Sequence, residues 1–212
     1  AARTAPVPLE RVRLGCPVPR PGKILAVRRN RGPRAGDRPD VFLKAPSAVA
    51  GPADELRVPR LGRAVECELE LALVIGRPTF AVPADEALAA VAGCCLALDL
   101  AVAGEEDRGL RKSLDGFCVL GPWVTEPSDL PALGSLELSL TVAGERRQGG
   151  RLGDQPFDAA AIVAYLASLM TLQPGDVLLT GCPSAAIVVQ PGDVLQATCA
   201  ALGDMQVEVR PA

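Results

Sequence analysis

The chain has 212 residues, 49% of them hydrophobic and 22% charged, a balance typical of a soluble globular protein with a sizeable core. Histidine is absent, which excludes every mechanism that relies on an imidazole base within this chain and removes the commonest zinc ligand. The formal net charge of −3 and the 3% of aromatic residues disfavour nucleic-acid partners, which require a basic surface or base-stacking side chains.

The first third of the chain predicts an extended arm followed by strands. Residues 1–22 are rich in proline and arginine, and we expect them to lead into a single domain over residues 23–212. A short apolar strand is predicted over residues 23–27. The arginine-rich residues 28–40, with their glycines and prolines, predict a loop, and a second strand ends at Lys44.

Strand patterns dominate the remaining sequence. Residues 65–76 begin as an apolar–polar alternation and end as a continuous apolar run, which predicts a strand half exposed at one end and fully buried at the other. Helices are predicted over residues 83–91 and over residues 158–172, where Asp158 is the candidate N-cap. Further strands are predicted over residues 94–102, 117–125, 136–142, 177–180, 194–200 and 205–209. This pattern predicts a mixed α+β, β-rich fold with flanking helices.

Cysteine usage and hydropathy bear on the compartment. The seven cysteines are odd in number and form no C-x-x-C pair, which favours buried free thiols in a reducing compartment. Neither a signal segment nor an apolar run of roughly 20 residues occurs, so we expect a cytoplasmic protein that does not bind membranes.

Three carboxylates stand out because apolar residues surround them. Glu68 and Glu70 are two residues apart on a predicted strand and therefore share a face, and Glu66 precedes them in the same phase. Asp99 is the lone acid of an apolar strand. One interpretation is a solvated sheet edge. The other is a divalent cation with oxygen ligands, Mg²⁺ or Mn²⁺, because buried carboxylates need a counter-cation.

A second polar group precedes the strand predicted at residue 117. Lys112 and Asp115 lie there in the sequence R-K-S-L-D-G-F. The segment is typical of a solvated turn, but it also suits a cation that grips an anionic substrate beside a metal ion.

Several segments follow patterns of one enzyme family. Residues 67–76 follow Y-E-x-E-L-x-x-V-I-G and residues 91–99 follow V-A-G-Y-T-x-x-N-D, with cysteine at both tyrosine positions. Residues 41–47 follow F-x-K-x-P-[SN], residues 112–117 follow K-S-x-D-x-F, and residues 172–183 follow L-x-P-G-D with a later T-G-T-P. In motif order and spacing, nearly the whole chain resembles the fumarylacetoacetate hydrolase family.

The resemblance implies a β-roll fold and a specific site. It places Mg²⁺ or Mn²⁺ on Glu68, Glu70 and Asp99, and it gives Lys112 and Asp115 a catalytic role. The substrate would be a small carboxylic acid, and dimers are usual in the family, so a homodimer or an assembly with a paralogous subunit is expected. Residues carried over as substrate contacts are Lys44, Gln148, Cys182 and Arg34.

The departures from the family pattern shape the predicted reaction. Many members carry N-Y-x-x-H-x-x-E on a lid loop, and here Arg34 stands at the histidine position, where a guanidinium cannot act as a base. The short isomerase/decarboxylase subunits of 4-hydroxyphenylacetate breakdown resemble this chain most, and some of them lack the lid pair. We therefore predict metal-dependent decarboxylation or isomerisation of a 2-oxo or 2-hydroxydienoic di- or tricarboxylic acid in aromatic catabolism. The alternatives are a C–C bond hydrolase (acylpyruvase) and a degenerate, non-catalytic partner subunit.

Overall fold

The computed structural model describes residues 7–32 and 36–212, so the predicted substrate contact Arg34 lies outside the described residues. Within them, helices and strands are as follows, in chain order: β1 (Ile24–Arg28), β2 (Asp40–Lys44), β3 (Val49–Ala50), β4 (Leu56–Val58), β5 (Val65–Ile75), α1 (Ala84–Ala87), β6 (Val91–Val102), α2 (Arg108–Arg111), β7 (Cys118–Thr125), β8 (Glu137–Val142), β9 (Glu145–Arg151), α3 (Ala159–Leu169), β10 (Val177–Leu179), β11 (Ile187–Val189), β12 (Val194–Cys199) and β13 (Gly203–Pro211). This composition confirms the predicted mixed, β-rich fold.

The strands form two sheets. The larger has eight strands in the order β2-β1-β10-β5-β6-β7-β3, with β11 paired to one end of β5, and the smaller has the order β4-β13-β12-β8-β9. Apolar side chains of both sheets and of α3 meet in the main core. A smaller apolar cluster lies on the opposite face of the large sheet, which explains why β5 changes from alternation to continuous burial.

The β5–β6 pair is the longest in the molecule and the one that positions the candidate site. The two strands are antiparallel, with Glu68 opposite Asp99 and Glu70 opposite Ala97. Side chains opposite each other project from the same face of a sheet, so the register adds Asp99 to the face that Glu68 and Glu70 share. The alternate residues Cys67, Leu69 and Leu71 point into the main core.

The structure corrects two predicted helix lengths. The helix predicted over residues 83–91 is the single turn α1 with a 3₁₀ turn at Leu88–Ala90, because β6 already begins at Val91. The helix predicted over residues 158–172 ends at Leu169, since Met170 is extended. Its N-cap prediction is confirmed, because the Asp158 carboxylate accepts a hydrogen bond from the Ala161 amide at 2.8 Å.

The sequence analysis missed α2 and four strands, β3, β4, β9 and β11. The clearest case is β9, whose sequence E-R-R-Q-G-G-R has no apolar alternation. It is an edge strand held by its ladder with β8, and the local signal of a half-buried strand is therefore missing.

The described part of the predicted arm lies against the domain. Over residues 7–22 the regular structure is one 3₁₀ turn at Leu9–Arg11. The Leu14 carbonyl accepts a hydrogen bond from the Ala53 amide at 3.1 Å, and a Cβ on Gly51 would lie 2.1 Å from the Cys16 nitrogen. Among the described residues, no helix has the length and apolar character needed to cross a membrane.

Candidate active site

Three carboxylates converge on one face of the β5–β6 pair. Oxygen atoms of Glu68, Glu70 and Asp99 all lie within 4.8 Å of one another. The side chains of Glu70 and Asp99 are buried, whereas that of Glu68 is 26% exposed and gives the group an open side. These are the three residues that the sequence analysis selected as metal ligands, and the structure brings them together.

Two lysines form ion pairs with these carboxylates. The Lys112 ammonium donates to Glu68 at 2.8 Å and to Asp99 at 2.5 Å. The Lys44 ammonium donates to the other oxygen of Asp99 at 2.5 Å and to the Phe117 carbonyl at 3.0 Å. Burial alone would raise the pKa of Asp99, but the two ammonium groups outweigh burial and lower that pKa from its usual value.

Glu70 is the member of the group that lacks a lysine partner in the described structure. Its carboxylate accepts a hydrogen bond from the Gly181 amide at 2.6 Å. Burial and the neighbouring carboxylates of Asp99 and Glu68 raise the pKa of Glu70 well above its usual value. A divalent cation bound to the three carboxylates would remove this conflict, and an all-oxygen donor set suits Mg²⁺ or Mn²⁺.

The residue whose amide donates to Glu70 has to be a glycine, Gly181. It follows β10, and its φ of 89° lies in the left-handed region that favours glycine. A Cβ at this position would lie 2.8 Å from the Cβ of Asn30 and 3.1 Å from the Val27 carbonyl oxygen. The Asn30 side chain completes the junction by donating to the Thr180 carbonyl at 2.9 Å and to the Phe157 carbonyl at 2.8 Å.

A cleft of about 290 Å³ opens above the carboxylates. Its walls come from the end of β1 and the following loop, from β2, β5 and β6, from α2 and from the loop after β10. The lining residues are Val27, Arg28, Arg29, Arg31, Phe42, Glu66, Glu68, Glu70, Asp99, Arg108, Lys112, Cys182 and Ala186. A polar cleft with a carboxylate group at its base and cations around it is suited to an anionic ligand that also binds a metal ion.

Three other sequence-selected residues lie elsewhere. Lys44 lies beneath Asp99, and Gln148 is buried, accepting from the Leu69 amide and donating to the Cys67 and Ala185 carbonyls, each at 2.8 Å. Asp115 is exposed on the turn before β7. The structure does not place Lys44, Gln148 or Asp115 on the cleft wall, and their substrate or catalytic roles stay predictions.

Cys182 does line the cleft. Its sulfur lies 3.6 Å from the Ser184 hydroxyl, and burial together with the Glu70 carboxylate raises the pKa of the thiol to about 11. The side chain is therefore a neutral thiol at physiological pH and a weak hydrogen-bond partner for a carboxylate.

Sequence reasoning missed Arg108 and Phe42. The Arg108 guanidinium lies 5.7 Å from the centre of the Phe42 ring, and the Lys112 ammonium lies 5.4 Å from it. Arg108 precedes Lys112 by four residues, the spacing that places two side chains on one face of a helical turn. That spacing was the available signal, but recognising it required knowing that residues 108–111 are helical.

Sequence comparison finds one matching family profile, described as "Fumarylacetoacetate (FAA) hydrolase C-terminal", over residues 22–210. A maleylpyruvate hydrolase of Aquipseudomonas alcaligenes is 34% identical over 218 residues, covering 94% of this chain and 76% of the relative.

Solved structures of a hydrolase and of an isomerase also resemble this chain. The maleylpyruvate hydrolase of Sphingobium sp. SYK-6, in complex with manganese(II) and pyruvate, superposes with a TM-score of 0.90 at 35% identity, over 97% of this chain and 76% of that one. The 2-hydroxyhepta-2,4-diene-1,7-dioate isomerase of Mycobacterium marinum superposes with a TM-score of 0.89 at 32% identity, over 97% and 80%. Hydrolases and isomerases therefore both occur among proteins of this similarity.

Proposed function

Because the chain belongs to the fumarylacetoacetate hydrolase family, we propose that it is a divalent-metal-dependent decarboxylase or isomerase of a 2-oxo or 2-hydroxydienoic di- or tricarboxylic acid. The observation that carries the proposal is the group of Glu68, Glu70 and Asp99, which lies at the base of a cleft with Lys112 beside it. A similar protein named as an isomerase of such an acid supports it.

The three carboxylates would hold Mg²⁺ or Mn²⁺. Bound there, the cation would act as a Lewis acid that draws electron density from the carboxylate and the adjacent carbonyl of a 2-oxo acid. The manganese in the similar Sphingobium enzyme supports a divalent cation of this kind.

Lys112 supplies a positive charge next to that position. Burial by itself would lower the pKa of Lys112, but the carboxylates of Asp99, Glu68 and Glu70 raise it above its usual value. The side chain is therefore an ammonium that donates hydrogen bonds and does not act as a base. When the C–C bond to a leaving carboxylate breaks, its electron pair moves toward the 2-oxo oxygen, where this ammonium can stabilise the new charge.

The absence of histidine favours this class of reaction over hydrolysis. Loss of CO₂ requires orientation and charge stabilisation, whereas C–C hydrolysis also requires a base that activates water. Hydrolysis of an acylpyruvate is the second candidate, and the hydrolases among the similar proteins favour it. A non-catalytic partner subunit is the third.

The test is turnover of two substrates by chelator-treated protein with and without added Mg²⁺ or Mn²⁺. We expect metal-dependent release of pyruvate from oxaloacetate above the rate of the free metal ion, and little hydrolysis of acetylpyruvate. Glu70→Gln should abolish the reaction. The control variant Arg57→Gln, at an exposed residue that pairs with the exposed Glu55 outside the cleft, should retain it. Acetylpyruvate hydrolysis alone would support the second candidate, and no metal-dependent turnover of either substrate would contradict the enzyme proposal.

A further inference from the structure

Strand β5 is paired along the whole of one side but only near the two ends of the other. On the first side β6 pairs with its full length. On the second side β10 pairs with residues 72–74 and β11 with residues 65–67, and no described strand pairs with residues 68–71 between them. Backbone groups buried in this unpaired part of β5 need other hydrogen-bond partners.

The side chain of Gln148 bonds to the unpaired part of β5. Its Oε1 accepts a hydrogen bond from the Leu69 amide, and its Nε2 donates to the Cys67 carbonyl, each at 2.8 Å. In a parallel ladder, a residue bonds to the carbonyl before and to the amide after the residue that it faces on the next strand. The Gln148 amide therefore takes the place of a strand residue beside Glu68, whose carboxylate belongs to the candidate site.

The same side chain holds the loop between β10 and β11, residues 180–186. Nε2 also donates to the Ala185 carbonyl at 2.8 Å. This loop brings the Gly181 amide to the Glu70 carboxylate at 2.6 Å. Gln148 is 3% exposed, and its three hydrogen bonds use the oxygen and both N–H donors of its amide. One buried side chain thus joins β5 to the loop that contacts Glu70.

A bulge in β9 directs Gln148 toward β5. Leu140 of β8 pairs with Gln148, and the next residue, Thr141, pairs with Arg146. Arg147 is therefore an extra residue in β9. A β-bulge changes the direction of the side chains next to it, and bulges are common beside active sites.

Strand β9 also contacts the loop directly. A Cβ on Gly150 would lie 2.9 Å from the Cβ of Pro183, so the loop leaves no room for a side chain at this position. The bulge, Gln148 and Gly150 together explain why this edge strand has the sequence E-R-R-Q-G-G-R and no apolar alternation. Its residues serve the neighbouring β5 and the loop, and not only the ladder with β8.

We propose that Gln148 is a positioning residue for metal binding. It fixes the backbone of β5 at Glu68 and the loop that contacts Glu70, and thereby keeps the two carboxylates in the arrangement that binds the ion. This role replaces the substrate contact expected from the family resemblance, because the side chain is buried beside β5 and away from the cleft wall. The inference rests on the proposed function, since it assumes that Mg²⁺ or Mn²⁺ binds at Glu68, Glu70 and Asp99.

The test is Mn²⁺ binding to the chelator-treated protein, followed by electron paramagnetic resonance at a temperature where circular dichroism shows a folded chain. Gln148→Met keeps the length of the side chain and removes the amide. We expect it to raise the Mn²⁺ dissociation constant by about tenfold or more, the usual effect of removing a partner that orients metal ligands. The spectrum of the Mn²⁺ that remains bound should also change, because it depends on the arrangement of the ligands.

Two further variants separate positioning from stability. Asp176→Ala removes a buried carboxylate whose partners are Lys23 and Gln173, so it should destabilise the fold and leave the Mn²⁺ affinity and spectrum of the wild type. Gln148→Glu keeps the shape and the acceptor but loses the amide donors, and it serves if Gln148→Met does not fold. It should weaken Mn²⁺ binding, although an added negative charge would by itself strengthen it.

The outcomes distinguish this inference from the proposed function. Wild-type Mn²⁺ affinity in Gln148→Met, or in Gln148→Glu if the first variant does not fold, would overturn the positioning role and leave the proposed function intact. An equal loss of affinity in Asp176→Ala would also overturn it, because stability alone would then control the site. A wild-type protein that binds no Mn²⁺ would overturn the proposed function together with this inference.

Discussion

Asp99 accepts hydrogen bonds from two buried lysines, one on each carboxylate oxygen. Lys44 is fully buried and Lys112 nearly so, and Lys112 also reaches Glu68. Buried charges are tolerated only in such mutually compensating sets, because desolvation of each ion is costly. The set explains how an apolar strand accommodates an aspartate without requiring a metal ion for folding.

Removing Lys44 tests this explanation. Lys44→Met leaves the Asp99 carboxylate buried with a single cation, and we expect the free energy of unfolding to fall by roughly 3–5 kcal/mol, the cost of breaking a buried pair. Chemical denaturation of the wild type and the variant measures it. The matched control Arg146→Met breaks the exposed pair with Glu137 and should cost under about 1 kcal/mol. Equal effects of the two substitutions would contradict the structural role of Lys44.

Among the structural elements, two turns of the same sequence contribute differently to stability, because only one of them has a fully buried aspartate. The sequence Pro-Gly-Asp occurs at residues 174–176 and 191–193, each time before a strand. In both turns the aspartate carboxylate accepts a hydrogen bond from the amide three residues earlier, at 2.7 Å for Asp176 and 2.9 Å for Asp193. Asp176 is fully buried and also accepts from the Lys23 amide at 3.0 Å and from the Lys23 ammonium. It therefore ties the start of β1 to β10, its parallel neighbour.

The two turns provide a matched pair of variants. Asp176→Ala removes a fully buried carboxylate that accepts part-buried hydrogen bonds from the Lys23 and Gln173 amides and pairs with the Lys23 ammonium. We expect it to lower the free energy of unfolding by roughly 2–3 kcal/mol. Asp193→Ala removes one partly exposed hydrogen bond and should cost under about 1 kcal/mol. Urea denaturation of both variants provides the comparison, and an Asp193 effect as large as that of Asp176 would contradict this assignment.

For the whole molecule, the three carboxylates of Glu68, Glu70 and Asp99 link metal binding to the stability of the fold. A ligand that binds only the folded state stabilises it by about 2.7 kcal/mol at a hundredfold excess over its dissociation constant. We expect Mg²⁺ or Mn²⁺ to raise the melting temperature of chelator-treated protein, and Glu70→Gln to abolish the rise.

The Glu70→Gln variant should remain folded without a metal ion. Glu70→Gln removes one of three crowded carboxylates, so its melting temperature without metal should equal or exceed that of the wild type. Differential scanning calorimetry with and without metal measures both effects, and the exposed variant Glu145→Gln serves as the control that keeps the metal-dependent rise. A rise that persists in Glu70→Gln would show that the ion binds elsewhere.

The amino-acid sequence by itself determined the fold class, most strands and the three carboxylates. These are local signals, because alternation along β5 assigns Glu68 and Glu70 to one face and apolar neighbours make Asp99 conspicuous. The order of the motifs along the chain also indicated the family, because motifs are defined by residue types and not by tertiary contacts.

Only the tertiary structure decided how these parts meet. The register of β5 and β6 sets Glu68 opposite Asp99, and the Gly181 loop, 111 residues from Glu70, brings an amide to it. Arg108 and Lys112 both lie over the Phe42 ring, and their four-residue spacing has this meaning only once residues 108–111 are known to be helical. Contacts between residues so distant in sequence depend on strand pairing and packing, which no local pattern of side chains encodes.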